Sequence, residues 1–132
     1  MQGQKKALQS ENKTRQSLRQ DKDKILVLKY IISQVEKGTG YTLSELKKQY
    51  KEEYLFYIGL KHVTTTKKAY CKAMDIPVEA GCRYKRKLEK NGYLVQSINK
   101  VICPYTKHFA HKISTNPNEF AELTKTNQLT LF

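Results

Sequence analysis

Acidic residues are scarce in this chain of 132 residues, with 12 Asp and Glu against 25 Lys and Arg. A formal charge of +13 leaves the fold open but narrows the partners, favouring a nucleic acid or another anionic surface. Long apolar runs are missing too. The longest strongly apolar patch, Ile25 to Ile32, contains Lys29 and is far too short to cross a membrane. Cysteines are few: Cys71, Cys82 and Cys103 form an odd, widely spaced set. With no signal peptide in view, they are expected to be reduced thiols in a soluble, cytoplasmic protein. Structural zinc sites usually start from close cysteine pairs, and there are none. The C-x4-H-x2-H spacing of Cys103, His108 and His111 is therefore read as ordinary packing and surface residues. Paired carboxylates are absent near the basic residues, as are a Gly-rich phosphate loop and a nucleophile elbow. The expectation is a protein that is not an enzyme and holds no cofactor or metal.

The stretch that organises the chain runs from Thr65 to Leu94. It reads as two helices broken at Asp75-Ile76-Pro77, the second ending at Asn91-Gly92. Proline presets a helical φ and lacks a donor that a first helical turn leaves unpaired anyway, so Pro77 is expected as the first residue of the second helix. Its ring disfavours the α region at Ile76, ending the preceding helix near Asp75. Gly92 tolerates the left-handed conformation that commonly closes a helix. Arg83, Arg86, Lys87 and Lys90 recur at i, i+3, i+4, i+7 and form one cationic stripe, while Val78, Gly81, Tyr84 and Leu88 share the opposite side. Such a helix suits a polyanion, though a merely solvated basic surface reads the same way.

These residues resemble the winged helix-turn-helix family. Cys71 stands where that family has a small buried residue, and Ile76 where it has the hydrophobe after the turn. Tyr84 and Leu88 take the inward positions of the recognition helix, and Leu88-Glu89-Lys90-Asn91-Gly92-Tyr93-Leu94 is similar to the exit into the wing. Two positions depart: Asp75 replaces the turn glycine, and Gly81 a branched apolar residue. The resemblance implies a mainly α fold with a small β-hairpin, and binding to double-stranded DNA. If docking follows the family, the start of the Pro77 helix enters the major groove, bringing Val78, Glu79, Cys82 and Arg83 nearest the bases. Only Arg83 among them offers a bidentate pair suited to guanine, so phosphate contacts are expected to dominate and sequence preference to be modest.

The rest of the chain frames this pair. Residues 1–22 are rich in Gln, Lys, Arg and Ser and are expected to form a disordered basic arm. Residues 23–116 are expected to form the winged-helix domain. Within it, Asp23 caps a helix running to Gly38 with Ile25, Leu28, Ile31, Ile32 and Val35 on its buried side. Thr42-Leu43-Ser44-Glu45 has the capping-box form. Leu43, Leu46, Tyr50 and Tyr54 continue as one stripe along the helix it begins. Leu55 to Leu60 extends that helix or forms a short strand. Thr64, Thr65 or Thr66 caps the first helix of the pair. After Leu94, short runs rich in Val, Ile, Tyr and Phe predict a hairpin turning at Cys103 to Lys107, with Phe109, His111 and Ile113 on one half-buried face. Asn116-Pro117-Asn118 is expected to end the folded part.

Charge follows the same division. From Val63 to Asn116 there are eleven cations and three anions, a net of +8, whereas residues 23–62 carry seven and five. Lys67, Lys68, Lys100, Lys107 and Lys112 join Arg83, Arg86, Lys87 and Lys90 as candidate DNA contacts. Tyr84, Tyr93, Tyr105 and Phe109 could stack on unpaired bases, but core packing is the expected use of most of them.

A second signal lies in residues 117–132, expected to be a flexible tail. Gln128-Leu129-Thr130-Leu131-Phe132 resembles the pentapeptide by which bacterial polymerases and repair proteins dock on the sliding clamp. Gln128, Leu129, Leu131 and Phe132 match, and Thr130 departs. Burying Leu131 and Phe132 in a groove would contribute roughly 3–6 kcal/mol before ordering costs. The same residues also alternate as a final strand on their own domain would. The functional expectation is a DNA-binding accessory factor of replication, repair or a mobile element, or a transcriptional regulator. The alternative is a protein-interaction adapter, or an RNA-binding module, that does not bind duplex DNA.

Overall fold

A computed structural model describes residues 22–125. They are mainly helical, with one small antiparallel sheet. Helix α1 covers residues 22–39, burying Ile31 and Val35 and partly burying Leu28 and Ile32, while Ile25 is half exposed. Helix α2, Leu43–Gln49, starts at the expected cap: Thr42 Oγ1 accepts from the Glu45 amide at 3.3 Å. The reciprocal half of the box is altered, because the Glu45 carboxylate takes the Thr42 hydroxyl (3.1 Å) instead of its backbone amide.

The single stripe expected from Leu43 to Tyr54 is broken. Tyr50 and Lys51 are both extended, and a separate helix α3, Glu52–Gly59, begins after them. Glu52 and Glu53 occupy its first turn, where carboxylates meet the positive end of the helix dipole. Tyr50 and Tyr54 consequently leave the core stripe, lie partly exposed and stack on each other with ring centroids 4.7 Å apart. Leu55 to Gly59 is helix, and Leu55, Phe56 and Leu60 are buried.

Strand β1 is Thr65–Thr66, followed directly by helix α4, Lys67–Met74, helix α5, Val78–Lys90, strand β2, Val95–Ile102, and strand β3, Phe109–Ser114. The sheet order is β1-β3-β2, with Thr65 opposite Ile113 and Ile102 opposite Phe109. Between Gln96 and Lys100 the register shifts. Ser97 fills the gap: its Oγ accepts from the Lys112 amide (2.9 Å) and donates to the Asn99 carbonyl (2.7 Å). A bulge of this kind bends the hairpin and increases its twist.

Both helices of the pair end in the same way. The Ile76 amide returns to the Cys71 carbonyl at 2.8 Å and the Asp75 amide to Lys72 at 3.3 Å, with Asp75 left-handed (φ 57°, ψ 46°). At the end of α5, Tyr93 returns to Leu88 (2.9 Å) and Gly92 to Glu89 (3.1 Å), with Gly92 at φ 80°. These are Schellman closures, which satisfy carbonyls the helix leaves free. Asp75 takes the conformation glycine would favour, which Asp is one of the few other residues to adopt. Pro77 is the N-cap of α5, one residue outside its expected place, with an extended ψ of 136°.

The core gathers Ile31, Leu46, Leu55, Phe56, Leu60, Tyr70, Met74 and Ile113. Each fully buried apolar side chain contributes roughly 1.5–3 kcal/mol of transfer free energy. Tyr70 spans the core edge-on to Phe56 (83°, 5.6 Å) and donates its hydroxyl to the Leu55 carbonyl at 2.7 Å. The carbonyls at the end of α3 are tied to the end of β3: Thr115 Oγ1 donates to Tyr57 (2.7 Å) and Ser114 Oγ to Leu60 (3.3 Å).

Two hairpin and tail expectations are corrected. Phe109 is 71 % exposed, so the expected half-buried face begins only at His111, half-buried, and continues to Ile113, buried. Asn116-Pro117 does not end the fold either. Asn116 Oδ1 accepts from the Asn118 amide (3.0 Å), Pro117 takes the first turn, and helix α6, Pro117–Leu123, packs against β2 and β3 with Leu123 buried. Proline at the first helical position is favoured for the same reason that makes it read as a stop.

Candidate nucleic-acid interface

Helix α5 owes its placement to Gly81. A Cβ there would fall on Cys71 Sγ of α4 and lie 3.6 Å from Phe56. A branched residue, as the family pattern would have it, has no room at this contact. With Gly81 buried, Val78, Tyr84 and Leu88 turn partly into the core. Tyr84 anchors the helix on α3, donating its hydroxyl to Glu52 at 3.0 Å; burial and that carboxylate both raise its pKa.

The opposite face carries the expected stripe. Arg83, Arg86 and Lys90 are exposed and make no ion pair among the described residues. Lys87 differs, because its ammonium sits 2.9 Å from Glu53 of α3 while remaining 65 % exposed. An exposed pair of this kind is worth at most about 1 kcal/mol, so it biases the side chain without removing its charge. Glu79 and Arg83 point outward at the start of α5. Val78 packs partly against the core. Cys82 is half-buried and accepts from Lys67 Nζ at 3.0 Å. Two of the four side chains expected nearest the bases are therefore turned partly inward.

Lys68, Lys100, Lys107 and Lys112 are exposed, and Lys67 partly so. The bent hairpin brings some of them together. A groove of about 340 Å³ lies between the start of α4, α5 and the hairpin, lined by Lys67, Lys68, Lys85, Lys100, His111 and Phe109, and no carboxylate lines it. Sequence reasoning passed over Lys85, which lies off the Arg83 stripe and pairs with Glu89 at 2.7 Å. Its helical position, one turn after Cys82, was the available signal. Phe109 is one of the four rings read from the sequence as able to stack on unpaired bases, though alternation put it on a half-buried face.

A larger groove of about 480 Å³ lies on the other side of α5, lined by Lys51, Glu53, Tyr54, Tyr57, Leu88 and Tyr93. Tyr57 faces Tyr93 edge-on at 6.1 Å, and Lys61 lies over the Tyr57 ring. Helical spacing placed Tyr54 and Leu88 on separate helices but could not bring them together with Tyr57 and Tyr93, because the cluster joins α3 to a residue beyond the end of α5.

The hairpin turn is held firmly. Lys107 returns its amide to Cys103 at 2.8 Å, and Cys103 returns its own to His108 at 2.7 Å. Cys103 is buried with its Sγ 2.8 Å from the Thr66 hydroxyl. Burial alone would raise that thiol's pKa. Hydrogen bonds from the Thr106 hydroxyl and amide, the Thr66 hydroxyl and the Tyr105 amide outweigh it, and the net direction is down. Cys71, buried between α4 and α5, goes the other way. Desolvation pushes it up to about 11 despite the lowering pull of Lys67. His111 Nδ1 is 2.7 Å from the Ser97 carbonyl, so its ring helps hold the bulge. Among the described residues no group of three or more His, Cys, Asp and Glu is placed to share a metal ion.

Gln128, Leu129, Leu131 and Phe132 lie outside the described residues, as does nearly all of the basic arm. Among the described residues no helix is long and apolar enough to cross a membrane. No protein-family model matches this chain, and neither does a curated protein or a solved structure.

Proposed function

We propose that this protein binds double-stranded DNA through a winged helix-turn-helix, with α4 and α5 as the helix pair and β2–β3 as the wing. The chain order supports the reading: β1 leads straight into α4, a tight left-handed turn joins α4 to α5, and the hairpin that follows pairs back onto β1. The observation that carries it is the outward face of α5. Arg83, Arg86 and Lys90 stand exposed in a row, without acidic partners among the described residues. Phosphates are the natural partner of such a row, since they carry a regular series of negative charge and are read without regard to sequence. Arg83 and Glu79 are left as the base-facing pair, which implies weak sequence preference. An accessory role in replication, repair or a mobile element, or transcriptional regulation, is compatible with this activity.

The direct test is anisotropy on a labelled duplex, titrated with salt. With five to seven phosphates neutralised, the log affinity should fall against log salt with a slope of about −4 to −6. No duplex binding at physiological salt, with a protein partner recovered in its place, would favour the adapter reading. The tyrosine-lined groove beside α5 gives that reading its one physical support, because exposed tyrosines are enriched where proteins meet. Docking of Gln128, Leu129, Leu131 and Phe132 on a bacterial sliding clamp is a further part of the proposal and rests on those residues alone. A peptide of residues 118–132 that binds a clamp no better than its Phe132→Ala form would remove it.

A further inference from the structure

The groove under the hairpin offers chemistry that duplex binding does not use. Its cations, Lys67, Lys68, Lys85 and Lys100, come from three separate elements and converge without a carboxylate in the lining. Of these ammonium groups, only Lys85 has an acidic partner among the described residues. The groove therefore selects for negative charge. In the same lining stands Phe109, 71 % exposed, a ring whose transfer to water is unfavourable unless something covers it. Its cross-strand neighbour Ile102 is 59 % exposed, so the apolar surface reaches beyond one side chain.

Cations around an exposed aromatic ring are the elements of a site for single-stranded nucleic acid, in which lysines follow the backbone and a base stacks on the ring. A duplex cannot use this ring by ordinary groove contact, because paired bases present edges to the grooves and keep their faces stacked. Size points the same way. At about 340 Å³ the groove lies at the lower end of the range that takes a small molecule, roughly 300–1,000 Å³, and so suits one nucleotide and not a double helix. The backbone that carries the ring is also held in place. It sits just after a turn closed by the Cys103–His108 and Lys107–Cys103 hydrogen bonds, and that turn is anchored to Thr66 at the start of α4.

We propose that this groove takes an unpaired nucleotide of a DNA strand, its phosphate on Lys67, Lys68, Lys85 and Lys100 and its base on Phe109. Together with the α5 face, the groove makes the preferred ligand a junction where a duplex opens into a single strand. The inference rests on the duplex-binding reading for the identity of the polymer and for the junction, and on the groove alone for the unpaired base.

The test compares a labelled blunt duplex, the same duplex with a short single-stranded extension on either end, and the single strand, using the full chain. The extended duplex should bind more tightly than the blunt one, by roughly 5- to 150-fold, the range that base–aromatic stacking spans. Phe109→Ala should bring that ratio close to one, and Phe109→Tyr should restore it. A 2-aminopurine at the first unpaired position should be quenched by the wild type and not by Phe109→Ala. Since Phe109 is largely exposed, the variant should keep the wild-type circular dichroism spectrum. Equal binding to blunt and extended duplexes, or a preference that survives Phe109→Ala, overturns the groove while leaving duplex binding standing. A protein that binds the single strand through Phe109 but not the blunt duplex supports the groove and overturns the α5 face. Binding to none of the three overturns both.

Discussion

Replacing Gly81 by alanine tests the packing that turns the cationic stripe of α5 outward. In an open helix the change would stabilise by about 1 kcal/mol, because alanine is the better helix former. Here the new Cβ falls on Cys71 Sγ, in a buried contact between two helices. Overpacking of this sort costs roughly 1–3 kcal/mol, so Gly81→Ala should destabilise by up to about 2 kcal/mol. At about 4 °C per kcal/mol for a domain of this size, the melting temperature falls by as much as about 8 °C. The sulfur is the main obstacle, since the next atom, on Phe56, is at an ordinary 3.6 Å. In a Cys71→Ala background the overlap is gone and the gain in helix propensity remains. There Gly81→Ala should be neutral or stabilising by up to about 1 kcal/mol. Urea denaturation of the four proteins, followed by circular dichroism, closes the double-mutant cycle. The expected coupling is about 1–3 kcal/mol. Equal effects of Gly81→Ala in both backgrounds would refute the close approach of α4 and α5.

Other consequences can be measured separately. Arg83→Ala should lower duplex affinity and bring the salt slope about one unit nearer zero; Lys87→Ala should do less, because Glu53 already holds that ammonium, and equal effects would contradict this ranking. Asp75→Gly should stabilise by up to about 1 kcal/mol, since the left-handed conformation strains a side chain and the Asp75 carboxylate, 92 % exposed, makes only a 3.8 Å contact with Lys47; a loss of stability would count against the turn. Thr42→Ala should destabilise by about 1 kcal/mol through loss of the α2 cap, read from the urea midpoint. Stability should also fall as pH rises from about 9 to 11. Burial raises both Tyr70 and Cys71, so the unfolded chain ionises first and their contribution, complete below the unfolded thiol value of about 8.5, is lost toward a folded value of about 11 for Cys71. Cys103, lowered in the fold, adds nothing further above that unfolded value, so a flat profile would contradict the buried thiol.

The helix pair was legible because its boundaries are written in local chemistry. Pro77 and Gly92 each restrict or permit one backbone conformation, and both boundaries fall within a residue of where those restrictions put them. The cap at Thr42 is legible for the same reason. Periodicity misled where it ran across a break. Tyr50 and Tyr54 keep helical spacing with Leu43 and Leu46, yet two extended residues separate the helices, and spacing carries no record of that. Alternation placed Phe109 on a half-buried face, but burial depends on what another element covers, and no described element covers that ring. Helix α6 was hidden because Asn-Pro reads equally as a stop and as a cap with its first residue. Of the candidate interface, the Arg83–Arg86–Lys90 row follows from helical spacing alone. The partner of Lys87 and the convergence of Lys67, Lys85 and Lys100 come from contacts distant in sequence, which no local pattern encodes.

The central claim is that the outward face of α5 meets the phosphates of a duplex. It is tested most directly by salt-titrated duplex binding of two charge-matched variants. In one, Arg83, Arg86 and Lys90 become alanine; in the other, the exposed Lys29, Lys37 and Lys48 of α1 and α2 do. Both lose three positive charges. The first should weaken binding and bring the slope of log affinity against log salt two to three units nearer zero, at about 0.9 per lost phosphate contact. The second should keep the wild-type slope. Equal slopes for the two variants would mean that the attraction belongs to the net charge of the chain and not to α5.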